Sequence, residues 1–172
     1  PKLTKKVSDE GIAIKYIVLT HGHADHISGV NEHLDDFPDA KVVVHTNEKP
    51  MLEDPRENQS LMFGSAQTVK GDIFVNDGDE LEVGNLKLKF IFTPGHTPGG
   101  MCIYVESEDV LFSGDTLFRQ SIGRTDFPGG SFRDLADAVH TKLFILPDET
   151  VVLPGHMGQT SIGFEKGNNP FV

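Results

Sequence analysis

The sequence has few of the features that mark secreted, membrane-spanning or nucleic-acid-binding proteins. It contains one cysteine, Cys102, so no disulfide can form within the chain, and a reducing compartment is expected. No apolar run approaches the roughly 20 residues needed to cross a bilayer, and no signal-peptide pattern follows Pro1. The chain has 15 Lys and Arg residues and 26 Asp and Glu residues, and this net negative charge repels phosphate backbones and anionic membrane surfaces. We therefore expect a cytoplasmic protein with neither a nucleic-acid nor a membrane partner.

The length and composition indicate one globular domain. A chain of 172 residues is long enough for one core and too short for two full domains. Its 18 glycines and 10 prolines predict many turns between short elements. Because the sequence starts at Pro1 and not at methionine, it also predicts a piece of a longer chain.

The first part of the sequence alternates between strand and helix patterns. Residues 14–20, "IKYIVLT", are β-branched and apolar, as in a buried strand, and residues 41–46, "KVVVHT", have the same pattern. Between them, residues 27–37 have apolar side chains at helical spacing. Residues 47–70 are expected to be irregular or weakly helical. This order predicts an α/β layer, in which a strand that is apolar on both faces has a strand on each side.

The second part of the sequence predicts antiparallel pairs followed by a helix and a strand. "DELEV" and "LKLKFIF" alternate around a Gly-Asn turn, and "GGMCIYVE" and "DVLFSGD" form another hairpin in which Cys102 packs in the core. "SFRDLADAVHTKLF" predicts an amphipathic helix with Ser131 as its N-cap, and "TVVLPGH" predicts one more strand.

Four of the predicted strands end in histidine or aspartate, in the segments "THGHADH", "TPGH", "SGD" and "PGH". Rigid strands commonly carry functional side chains at their loop ends, and His and Asp are metal ligands. These segments supply seven candidate ligands: His21, His23, Asp25, His26, His96, Asp115 and His156. A single zinc ion takes four to five ligands, so the number predicts two metal ions that share Asp115.

These segments resemble the metallo-β-lactamase superfamily, whose H-x-H-x-D-H motif matches "HGHADH" and whose later His, Asp and His match the other three segments. "TPGHTPGG", "SGDTLF", "SIGRTDFPGG" and "TSIGFEKGNNPF" are similar to short bacterial glyoxalase II-like (hydroxyacylglutathione hydrolase-like) proteins. The resemblance implies an α/β fold, an αββα sandwich, with two metal ions at one rim of its sheets. The expected ions are zinc, with iron or manganese as alternatives.

The resemblance also implies a role for each candidate ligand. The first metal would be held by His21, His23 and His96, the second by Asp25, His26 and His156, and Asp115 would bridge the two. Family members have several strands ahead of the position that matches Ile12, so we expect an N-terminally incomplete domain over residues 1–172. The helical C-terminal domain with which full-length glyoxalase II binds glutathione is not in the sequence either, which leaves the thiol carrier open.

The expected function is metal-dependent hydrolysis of a small-molecule thioester, such as an S-(2-hydroxyacyl) thiol, by a monomer or homodimer. A metal-bridging hydroxide would be the nucleophile, with Asp25 and Asp115 as the catalytic carboxylates. A thiolate leaves without a general acid, which favours a thioester over an amide. Arg124 is predicted to bind an anionic group of the substrate, and the alternative is a local salt bridge with Asp126.

Two other functions remain open from the sequence. The first is a persulfide dioxygenase with one iron ion, an enzyme of the same superfamily whose members also resemble "HADHI" and "GRTDF". The second is a metal-binding protein without catalytic activity. The number and identity of the bound metal ions separate the first alternative from a hydrolase, and turnover of a thioester excludes the second.

Overall fold

The computed structural model describes residues 2–172 as two facing sheets with helices on their outer sides. The helices are α1 (Lys2–Asp9), α2 (Ala24–Ile27), α3 (Val30–Asp36), α4 (Lys49–Glu53), α5 (Phe132–Ala138) and α6 (Ile162–Asn168). The strands are β1 (Tyr16–Val18), β2 (Lys41–His45), β3 (Ile73–Val75), β4 (Glu80–Val83), β5 (Leu86–Phe92), β6 (Met101–Val105), β7 (Val110–Gly114), β8 (Leu117–Phe118), β9 (Ser121–Ile122), β10 (Val151–Pro154) and β11 (Thr160–Ser161).

The two main sheets differ in size and strand direction. The first sheet is parallel, with the order β1-β2-β3. The second has six strands in the order β11-β10-β7-β6-β5-β4. In this sheet β7 and β10 are parallel, and the other neighbouring strands are antiparallel. Strands β8 and β9 form a separate small pair.

The alternation of side chains along the buried strands produces the layers. In β2, Val42 and Val44 pack with helix residues such as Ile27 and Leu52, whereas Val43 points the other way and packs with Phe90 of the second sheet. All of these side chains are buried. Because successive strand residues face opposite sides, a strand that is apolar throughout requires a covering layer on both sides.

The second sheet repeats this arrangement. In β6, Met101 and Ile103 face the first sheet, while Cys102 and Tyr104 face the opposite side and pack with Val139 in the π-helical turn that follows α5. Burial raises the pKa of the Cys102 thiol to about 11, and the residue packs in the core as the sequence predicted. The resulting order of helix, sheet, sheet and helix confirms the predicted αββα sandwich.

The structure corrects two local predictions. The helix predicted over residues 27–37 is divided into α2 and α3 by Ser28 and Gly29, and α2 starts at Ala24, inside the histidine segment. Strand β1 was expected to have a strand on each side, but within residues 2–172 it pairs with β2 alone. Residues 47–70 contain α4 and a 3-10 turn at Ser60–Phe63, in line with the weakly helical pattern. No helix within residues 2–172 has the length and hydropathy to span a membrane.

Candidate metal centre

The seven predicted ligands meet at one rim of the sandwich because the strands before them end there. Strands β5 and β7 are both antiparallel to β6, and β10 is parallel to β7, so the carboxyl ends of β5, β7 and β10 lie at one edge of the second sheet. His96, Asp115 and His156 follow these three strand ends. The histidine segment follows β1 in the facing sheet, and it continues into α2, which carries Asp25 and His26.

One group of side chains contains His21, His23 and His96, all buried. His23 Nδ1 lies 2.9 Å from His96 Nε2, and the potential ligand atoms of the three residues lie within 4.8 Å of one another. His96 lies 73 residues after His23 in the sequence, so only the fold brings it close to His21 and His23. These are the three residues that the resemblance implies for the first metal.

A second group contains Asp25, His26 and His156, with ligand atoms again within 4.8 Å of one another. His156 Nε2 lies 3.0 Å from Asp25 Oδ2, and His26 Nε2 lies 3.7 Å from the same oxygen. A Cβ atom at Gly155 would lie 2.4 Å from Asp115 Oδ1, so glycine is required for this close approach. The second group also matches the set that the resemblance implies.

Asp115 lies between the two groups. Its Oδ1 is 3.3 Å from His26 Nε2, and its Oδ2 is 3.6 Å from His96 Nε2 and 3.4 Å from His156 Nε2. Burial alone would raise the pKa of Asp115, but the close contact with His26 and the other neighbouring histidines lower it below its ordinary value. Asp115 is therefore ionised at neutral pH and faces both groups at once.

The nitrogen and oxygen atoms that point into the centre have the properties of metal ligands. His21 Nε2 and Asp115 Oδ1 are buried and have no hydrogen-bond partner within residues 2–172, an arrangement that is costly unless an ion satisfies them. Burial lowers the pKa of His21, His23 and His96, with neighbouring histidines adding to the effect at His21 and His23. These imidazoles are therefore neutral at neutral pH, which is the form that binds a metal. The residues present fit metal ions.

Hydrogen bonds outside the centre orient two of the imidazoles. His96 Nδ1 lies 2.7 Å from the carbonyl oxygen of Arg124, and because a carbonyl can only accept, Nδ1 carries the proton and Nε2 is left as a ligand atom. The side-chain nitrogen Nε2 of Gln59 lies 3.2 Å from His23 Nε2. Gln59 has a left-handed backbone, with φ of 66°. With this amide turned over, its oxygen would face His23, accept the Nε2 proton and leave Nδ1 of His23 free to bind a metal.

A buried carboxylate that sequence reasoning missed joins two of the ligand segments. Glu48 is fully buried and accepts hydrogen bonds from the backbone N–H groups of Gly22, at 2.9 Å, and Gly99, at 2.8 Å. The hydroxyl of Thr97 donates to the same carboxylate. Burial, the largest influence, raises the pKa of Glu48. Gly22 lies between His21 and His23, so Glu48 ties that segment to the one that follows His96.

A cavity of about 380 Å³ opens beside the ligands. Arg124 lines it, but the guanidinium is paired with Asp126 through Nε–Oδ1 and Nη2–Oδ2 distances of 2.7 Å, and it lies 3.8 Å from the centre of the Phe127 ring. The local salt bridge that the sequence left open is thus present. That Arg124 binds an anionic group of the substrate stays a prediction.

We expect metal-free protein to lose stability as the pH falls. The pKa of His23 is lowered to about 4 by burial and then by His96, and the pKa values of His21 and His96 are lowered as well. Between the ordinary value of about 6.5 and these lowered values, the unfolded chain binds protons that the folded chain does not, so the free energy of unfolding decreases with falling pH. At His26, burial is outweighed by Asp115 and Asp25, and its raised pKa acts in the opposite direction.

The measurement is the Tm of chelator-treated protein between about pH 7 and pH 5. His23→Asn removes one of the groups with a lowered pKa and should therefore flatten the dependence. An unchanged dependence in this variant would contradict the account given for His23.

The fold and the rim together define an αββα sandwich protein with a candidate metal centre built from histidine and aspartate. The family model described as "Metallo-beta-lactamase superfamily" matches residues 3–156, and the chain belongs to this superfamily. The family prediction made from the sequence is therefore confirmed.

Among curated relatives, the chain is similar to a probable metallo-hydrolase, YqgX, of Bacillus subtilis. The two are 40% identical over 173 residues, which cover 99% of this chain and 82% of YqgX. The chain is also 33% identical to the hydroxyacylglutathione hydrolase GloC of Haemophilus influenzae, over 99% of this chain and 82% of GloC. Both relatives are matched over nearly the whole of this chain.

Three solved structures have the same fold. The B3 metallo-β-lactamase BLEG-1 is 40% identical, with a TM-score of 0.91 over 99% of this chain and 82% of that one. TTHA1623 in a di-iron-bound form is 30% identical, with a TM-score of 0.85 over 99% and 84%. ETHE1 from Myxococcus xanthus is 32% identical, with a TM-score of 0.80 over 98% and 67%.

Proposed function

We propose that the protein is a metal-dependent hydrolase that uses two metal ions and cleaves a thioester. The observation that carries this proposal is the pair of three-residue groups at one rim with the ionised carboxylate of Asp115 between them. The similarity to GloC supports a thioester substrate, and the similarity to a di-iron-bound protein supports a site for two ions.

Each of the two groups of residues would bind one metal ion. His21, His23 and His96 would hold one ion, and Asp25, His26 and His156 would hold the other, with Asp115 shared. Bound metal ions would polarise the substrate carbonyl and lower the pKa of water so that hydroxide is available at neutral pH. The chain itself keeps the ligand atoms unprotonated, through burial at the first group.

The cavity favours a leaving group that needs no proton. Apart from the proposed ligands, the polar side chains among the described residues that line it are Gln59 and Arg124. Neither is a general acid near neutral pH. A thiolate, with a pKa of about 8.5, leaves without protonation, whereas an amine does not. The lining therefore supports a thioester over an amide substrate.

The proposal is tested by elemental analysis of the purified protein together with assays on matched substrates. We expect about two metal ions per chain and metal-dependent hydrolysis of S-acyl thiols, with little activity on a chromogenic cephalosporin. No turnover of any thioester by protein with two bound metal ions would overturn it. Faster cleavage of the cephalosporin would instead assign the activity named for BLEG-1.

A persulfide dioxygenase remains the second candidate, because the similarity to ETHE1 favours it. It requires one iron ion, which would use His21, His23, His96 and Asp115 and leave the second group without a metal. One iron per chain, with oxygen consumption on a thiol persulfide, would support this candidate and exclude the hydrolase.

The predicted role of Arg124 can be tested by comparing two thiol carriers. A charged hydrogen bond to a substrate carboxylate is worth about 1.5 to 3 kcal/mol. Because the Arg124 side chain is 56% exposed and already paired with Asp126, we expect Arg124→Ala to lower kcat/KM by only about 10-fold for a carboxylated thioester. A neutral thioester should be unaffected. An equal loss with both substrates, together with a lower Tm, would make Arg124 structural.

A further inference from the structure

Five residues that line the cavity beside the ligands are large and apolar. They are Phe63, Phe118, Ile122, Phe127 and Met157, and we call this set of lining residues the apolar wall. The Phe127 ring centre lies 5.4 Å from that of His23 in the first group, and the Phe118 ring centre lies 6.1 Å from that of His156 in the second. An acyl group whose carbonyl carbon lies between the two groups would therefore contact this wall.

Two residues of the apolar wall have side chains that are exposed to solvent. Phe63 is 74% exposed and Met157 is 66% exposed. Met157 has a left-handed backbone, with φ of 67°, and the turn Ser60–Phe63 follows Gln59, whose φ is 66°. Residues other than glycine rarely adopt this conformation, and such strain concentrates at functional sites. The fold thus presents large apolar side chains at the cavity mouth where burial would have been more favourable.

Outside the proposed ligands, the charged side chain that lines the cavity among the described residues is already paired. Among the described residues that line it, Arg124 is the only lysine or arginine, and Asp126 neutralises it. A carrier with several phosphates would meet no further cation at this wall, in a chain whose net charge is −11. The volume of about 380 Å³ is near the lower end of the range of small-molecule sites, about 300 to 1,000 Å³, and limits the acyl group to moderate length.

We propose that the apolar wall binds the acyl part of the substrate and that the preferred substrates are thioesters of uncharged, apolar acyl groups of medium length, alkyl or aryl. This proposal rests on the proposed thioester hydrolysis and names its substrate class. The wall selects the acyl group by removing its apolar surface from water, while the carbonyl is left beside the ligand residues.

The test uses metal-loaded protein and N-acetylcysteamine thioesters from acetyl to octanoyl, which share one neutral carrier. A buried methylene is worth about a fourfold gain, so kcat/KM should rise by about two- to fourfold per added methylene until the cavity is filled. Phe63→Ser and Met157→Ser should each reduce this rise. Ile145→Ser is the matched control, because Ile145 is also 74% exposed but does not line this cavity, and it should keep the wild-type rise.

Binding of thioether analogues, which cannot be hydrolysed, separates this proposal from the proposed reaction. The octyl thioether of the same carrier should bind at least about 10-fold more tightly than the methyl thioether, and Phe63→Ser should reduce this ratio. If no thioester is cleaved but the octyl thioether still binds more tightly than the methyl thioether, the proposed hydrolysis is wrong and the proposed role of the apolar wall is supported. Equal Kd values for the two thioethers, or equal kcat/KM for acetyl and octanoyl thioesters, would overturn the apolar wall while leaving the hydrolysis intact.

Discussion

Replacement of Asp115 by Ala is expected to abolish thioester hydrolysis and to lower the metal content from about two ions per chain to one or none. Asp115 contacts His26 through one carboxylate oxygen, at 3.3 Å, and His96 and His156 through the other, at 3.6 and 3.4 Å. The variant removes the carboxylate that contacts all three imidazoles. Two metal ions held close together then lose the ligand that offsets their mutual repulsion.

Metal content by elemental analysis and kcat on the same preparation measure this effect. Asp115→Asn keeps the shape of the side chain and removes its charge, so it should lose activity as well if the charge is what matters. Asp137→Ala is the control, since Asp137 is an exposed residue of α5 that pairs with Arg133 away from the rim. Two bound ions and a normal kcat in Asp115→Ala would show that Asp115 does not bridge.

The strand ends made the candidate centre predictable from the sequence. Each segment of ligands comes after an apolar strand, as Asp115 follows "VLFSG", so the pattern gave both the residue types and their common rim. All seven predicted ligands lie there. The pattern did not predict where α2 begins. Asp25 and His26 are helical because the chain enters α2 directly after His23, the N-cap residue of α2.

Residues that act through hydrogen bonds were not predictable in this way. In "HTNEKPML", Glu48 has the pattern of an exposed residue in a polar turn, and its three donors lie in segments 26 and about 50 residues away along the chain. Gln59 likewise contacts His23 only because of the conformation of residues 54–60. For Arg124 the sequence left two partners open, and the bidentate geometry with Asp126 depends on local backbone angles that no spacing specifies.

Glu48→Gln is expected to weaken metal binding by about 10- to 100-fold, the usual effect of losing a group that orients ligands. One carboxylate oxygen accepts from Gly22 N–H, and the other accepts from Gly99 N–H and the Thr97 hydroxyl. A glutamine amide has one oxygen, so whichever way it is turned, its NH₂ group faces a backbone N–H. The segment of His21 and His23, or the segment after His96, must then move away from the centre.

Glu165→Gln provides a control that is matched in burial and in the number of hydrogen bonds. Glu165 is also fully buried, and it accepts from Gln120 N–H at 2.8 Å, from Asn169 Nδ2 at 2.9 Å and from the Thr160 hydroxyl, with no predicted ligand among these partners. An unsatisfied buried donor costs about 1 to 3 kcal/mol, so Glu48→Gln should lower the Tm by roughly 2 to 10 °C. In Glu165→Gln the NH₂ group can face the Thr160 hydroxyl, which can accept, so the loss of Tm should be smaller. Only Glu48→Gln should weaken zinc binding in competition with a chelator, because only Glu48 connects two ligand segments. Equal affinities in both variants would mean that Glu48 contributes to folding alone and that the ligand geometry is set by the strands.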